Sequence, residues 1–131
     1  MLPIDIVVFG DGSLFDEGVS NLLSVDARLN VFRILYTDDS VLDQLVRLDN
    51  PEVIFLNEFD ARDTDRIVRL IFSVPSVFVR CVVVAHLENN TFDVYNRLMK
   101  KFPSEMYQWQ SIVVKSKEEL INLARLVCRF T

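Results

Sequence analysis

Cys81-Val-Val-Val-Ala-His86 runs on into Leu-Glu-Asn-Asn-Thr-Phe92-Asp-Val-Tyr95-Asn-Arg-Leu-Met99-Lys-Lys-Phe102, and how this stretch divides decides the fold. Its first part closes a short apolar run over 78–85, rich in β-branched residues and without a helical period, which reads as a buried strand. In the second part, Phe92, Tyr95, Met99 and Phe102 recur at i, i+3, i+7 and i+10, the spacing of one helix face. Asn90 or Thr91 stands where an N-cap belongs. The stretch therefore predicts a strand followed by a helix.

Outward from it the same alternation repeats. Ile4–Phe9, Val31–Tyr36, Val53–Leu56 and Ile112–Val114 are further short β-branched or aromatic runs. Between them, helical spacing links Phe15, Val19, Leu22 and Leu23, then Val41, Leu42, Leu45 and Val46, then Ile67, Leu70 and Ile71. Leu120, Ile121, Ala124, Val127 and Cys128 make the last stripe. Ser116-Lys-Glu-Glu119 matches a capping box, in which Glu119 reaches back to the N–H of the cap residue. Pro3, Pro51, Pro75 and Pro103 all lie ahead of proposed strands, where a missing N–H costs least. Apolar strands alternating with helices imply a parallel sheet joined by right-handed crossovers. The expected fold is α/β, a doubly wound sheet of five parallel strands with helices on both faces, as one domain over 1–131.

Composition narrows the function. Half of the 131 residues are hydrophobic and a quarter are charged, which excludes a disordered chain. No apolar run approaches the ~20 residues that span a bilayer, and Met1-Leu-Pro-Ile-Asp5 does not resemble a secretory leader. A cytoplasmic protein without a membrane role is expected. Cys81 and Cys128 are too few for a disulfide framework or a four-ligand zinc site. The formal charge is −5, with 14 acidic and 4 basic residues before position 66 and 5 and 10 from position 66 on. Nucleic-acid binding needs a concentrated basic face, so it is not expected.

Ligands of open α/β sheets sit beyond the carboxyl ends of the strands. Gly10-Asp11-Gly12-Ser13, Asn57-Glu58-Phe59-Asp60, Ala85-His86 and Lys115 occupy those ends. Ile6-Val-Val-Phe-Gly-Asp-Gly-Ser-Leu-Phe-Asp-Glu-Gly18 resembles the opening of a response-regulator receiver domain of the CheY-like superfamily, in its NarL-type branch. Pro51-Glu-Val-Ile-Phe-Leu-Asn57 is similar to the segment that ends in that family's phosphoacceptor Asp. Ile112-Val-Val-Lys-Ser-Lys-Glu-Glu-Leu120 resembles its fifth strand, Lys and fifth helix.

The resemblance implies a site that has lost its chemistry. Asn57 stands at the phosphoacceptor position, and an amide cannot form an acyl phosphate. The acid pair is reduced to Gly10 and Asp11, and Ala85 replaces the hydroxyl residue; Lys115 alone is retained. Mg²⁺ requires hard anionic oxygens, so no metal site is expected, with Asp11 and Glu58 its only weak candidates. No cofactor is expected either. Ile112 occupies the position of the family's switch aromatic.

The interval from Ala85 to Lys115 is longer than in the receivers it resembles, and it carries Phe102, Met106, Tyr107 and Trp109. Such side chains are enriched at interface cores. With Tyr95, Met99 and Ile112 they mark an expected interaction surface on the fourth helix, fifth strand and fifth helix, for a protein partner or a second copy. The expected function is that of a non-enzymatic, receiver-like signalling module. The alternatives are a flavodoxin-like domain binding a small molecule or nucleotide at Gly10–Ser13, and the receiver part of a longer DNA-binding regulator.

Overall fold

The computed structural model describes residues 4–10, 14–35, 51–57, 68–73, 79–86, 90–97 and 107–128. In chain order these form β1 (Ile4–Gly10), α1 (Leu14–Ser24), β2 (Leu29–Leu35), β3 (Val53–Asn57), a helical segment α2 over 68–73, β4 (Cys81–His86), β5 (Thr91–Arg97), β6 (Tyr107–Val113) and α3 (Lys117–Cys128). One six-stranded sheet has the order β2-β1-β3-β4-β5-β6. The pairs among β2, β1, β3 and β4 are parallel, whereas β4–β5 and β5–β6 are antiparallel.

This corrects the expected five-stranded parallel sheet. The segment from Phe92 through Tyr95, read as the start of a helix, is the strand β5. Ile112 and Val113 end a seven-residue strand, β6, that begins at Tyr107. The physical reason lies in burial and propensity. Thr91, Phe92, Val94 and Tyr95 are β-branched or aromatic, and Phe92, Val94 and Tyr95 are all buried between β4 and β6. A strand covered on both faces does not alternate strictly, so its pattern passes for a helical stripe. Asn90, at φ 51°, makes the turn that reverses the chain into β5; Asn tolerates this left-handed conformation better than most residues. The proposed helix around 41–46 lies outside the described residues.

Strand alternation sorts the core into two layers. On one face, Ile6, Val8, Val53, Phe55, Cys81, Val83, Ala85, Phe92 and Val94 meet Val19 and Leu23 of α1 and Leu120, Leu123, Ala124 and Val127 of α3. On the other, Val7, Phe9, Ile54, Leu56, Val82, Val84 and Tyr95 meet Val68, Ile71 and Phe72 of α2. Asp26 joins the first layer's two helices at its margin: it pairs with Arg28 at 2.8 Å and reaches Arg125 of α3 at 4.0 Å. The capping box at α3 forms with one difference. The Glu119 N–H donates to Ser116 Oγ at 3.2 Å, but the Glu119 carboxylate accepts from the Lys115 N–H, one residue before the cap.

Candidate functional site

The register aligns Asn57, Ala85, Phe92 and Ile112 across β3, β4, β5 and β6. Gly10 follows Phe9, the partner of Leu56, and so ends β1 alongside Asn57. Three of the five pocket positions thus lie together, at the carboxyl end of adjacent parallel strands. Lys115 does not join them. Because β5 stands between β4 and β6, three strand spacings, roughly 14 Å, separate Asn57 from Ile112. Lys115 follows β6, is exposed, and uses its backbone N–H on Glu119. Asp11 and Glu58 lie outside the described residues, as do Met99, Phe102 and Met106.

The hairpin brings together residues that the sequence kept apart. His86 Nε2 lies 2.8 Å from Asp93 Oδ2 across the β4–β5 pair. The carboxylate beside His86 comes from β5, in the stretch whose spacing predicts a helix. Arg97, at the far end of β5, donates from Nε to the Val79 carbonyl at 2.7 Å and from an η nitrogen to the Phe72 carbonyl at 3.2 Å. Its guanidinium also sits 5.0 Å from the centre of the Phe72 ring. Arg97 therefore fastens β5 to the end of α2, and burial pushes its pKa below the usual arginine value.

The remaining candidates divide between core and surface, so Tyr95 does not belong to the expected interaction surface. Tyr95 is buried, Ile112 is partly buried against the α1–α3 layer, and Trp109 is exposed. Tyr107 opens β6, opposite Arg97. Trp109 is 56% exposed, Val113 is 55% exposed, and Leu126 on the neighbouring flank of α3 is 59% exposed. A groove of about 200 Å³ runs between strand and helix, lined by Val94, Asn96, Gln108, Gln110, Leu126 and Val127, with Trp109 at its side. Of that expected surface Trp109 is exposed; Val113 and Leu126 are not distinguished by the sequence, because an exposed and a buried apolar residue look alike there.

Among the described residues no three or more His, Cys, Asp or Glu side chains are grouped to hold a metal, and no helix is long and apolar enough to cross a membrane. No protein-family model matches the chain, and neither a curated protein nor a solved structure matches it at a significant level of similarity.

Proposed function

We propose that the chain is a non-enzymatic signalling module of the receiver kind, which works by presenting the β6–α3 side to another protein. The observation that carries this reading is that the edge strand β6 leaves Trp109 and Val113, on one face of the sheet, each more than half exposed, while Leu126 of α3 is likewise exposed on the other face. Large apolar side chains grouped on a surface mark interaction sites. Two further features support it. The residues at the carboxyl ends of β1, β3 and β4 are Gly10, Asn57 and Ala85, none of which can accept or guide a phosphoryl group. The one cation that a receiver-like site would use, Lys115, stands on the far side of β5.

Incubation with acetyl phosphate and Mg²⁺ followed by intact-mass measurement tests the phosphotransfer half of this reading. The unmodified mass is expected. A phosphoryl adduct that is lost on brief alkaline treatment contradicts it. Asn57→Asp alone should gain little, since Gly10 and Ala85 still lack the acid and the hydroxyl.

A further inference from the structure

Deepening that reading, and resting on it, we propose that β6 is a self-recognition edge. Two copies of the chain pair antiparallel through β6 about a two-fold axis at Gln110, joining two six-stranded sheets into one of twelve strands. The segment Tyr107-Gln-Trp-Gln-Ser-Ile-Val113 contains no charge, glycine or proline, in a chain where a quarter of the residues are charged. Exposed edges are normally guarded by charges, prolines, bulges or short length. Among the described residues of β6 none of those guards is present: its pairing with β5 is unbroken over seven residue pairs. The opposite edge, β2, does carry one, since exposed Arg33 stands within it.

The sequence of β6 is complementary to itself in that register. Gln110 meets its own copy, so two amides exchange hydrogen bonds on the axis. Trp109 meets Ser111, a large side chain over a small one, and Gln108 meets Ile112. Facing residues in an antiparallel pair point to the same side of the sheet, and no like charges are opposed. On the α3 face the second copy brings another Leu126 towards the axis, covering the groove beside Gln108 and Gln110. The arrangement closes as a dimer because the same patch serves both partners.

Sedimentation of the whole chain over a range of concentrations should show a monomer–dimer equilibrium. Gln110→Lys sets two ammonium groups against each other on the axis and should weaken the dimer about tenfold or more. Gln110→Cys should form a disulfide-linked dimer under mild oxidation, because facing Cα atoms in such a pair lie within disulfide reach. Phe32→Cys on β2 should not. Circular dichroism establishes whether Gln110→Lys is folded; if it is not, the Gln110→Cys cross-link decides. A dimer that survives Gln110→Lys and leaves Gln110→Cys unlinked overturns pairing through β6 but leaves the interaction-module reading standing. A wild type that is monomeric throughout, with no cross-link, overturns self-recognition. A phosphoryl adduct in the acetyl phosphate experiment overturns the reading beneath it.

Discussion

Tyr95 and Trp109 face each other across the β5–β6 pair, yet Tyr95 is 9% exposed and Trp109 is 56% exposed. The difference comes from position in the sheet. β5 has a neighbour on each side, whereas β6 is the last strand, so its side chains are covered from one direction only. Tyr95→Ala should therefore cost about 3 kcal/mol, as loss of a buried aromatic does. Trp109→Ala should stay within ~0.5 kcal/mol of the wild type. Urea unfolding of the two variants, compared below the concentration at which the chain associates, checks the contrast.

Arg97 should be worth more to stability than an ordinary surface arginine. It holds two backbone carbonyls and stacks on Phe72, so Arg97→Ala leaves a strand end and a helix end without their shared donor. A loss of about 2–3 kcal/mol is expected in thermal or urea unfolding. Arg97→Lys should recover only part of it, because an ammonium cannot hold both carbonyls in the planar geometry of a guanidinium.

Gly18 offers a gain in the other direction. It lies inside α1, and a Cβ added there would meet nothing within 4 Å. Gly18→Ala should raise stability by about 0.5–1 kcal/mol, since glycine loses more backbone entropy in a helix than alanine does. A decrease would mean that α1 does not continue through this position.

Asp26 supplies a pH dependence with a definite sign. Hydrogen bonds from the Arg28 side chain and backbone hold its carboxyl at about 2, against 3.8 ordinarily. A folded-state value below the unfolded one stabilises the fold above pH ~4, and that contribution disappears as the pH falls through the folded value. The amount is small, because the pair lies at the surface. Carboxyl NMR titration of Arg28→Ala should show Asp26 returning towards the ordinary range, and Asp26→Asn should lack this part of the acid-induced loss.

The parallel half of the sheet was legible because β1, β3 and β4 are short, continuous apolar runs, and α1 and α3 carry clear stripes. β5 was not. Phe92 and Tyr95 satisfy a helical spacing that Met99 and Phe102 extend, and nothing local says that the chain turns back at Asn90. Two signals pointed the other way: the strand propensity of Thr91, Phe92, Val94 and Tyr95, and the unusual length of the interval before Lys115. That length is spent on a hairpin. The misreading carried over to the site, since a helix there leaves Lys115 near Asn57, whereas a strand moves it one place farther along the sheet. The His86–Asp93 contact was hidden for the same reason: it exists only once β5 pairs with β4.

If β6 is the edge through which this chain meets its own copy, hydrogen exchange across residues 107–113 should depend on protein concentration. Backbone amides on the outer side of an edge strand exchange freely unless another strand takes them up. Raising the protein concentration should slow exchange in the β6 peptide and leave β2, the other edge, unchanged. Exchange in β6 that is independent of concentration, or protection that grows in β2 instead, would rule out pairing through β6.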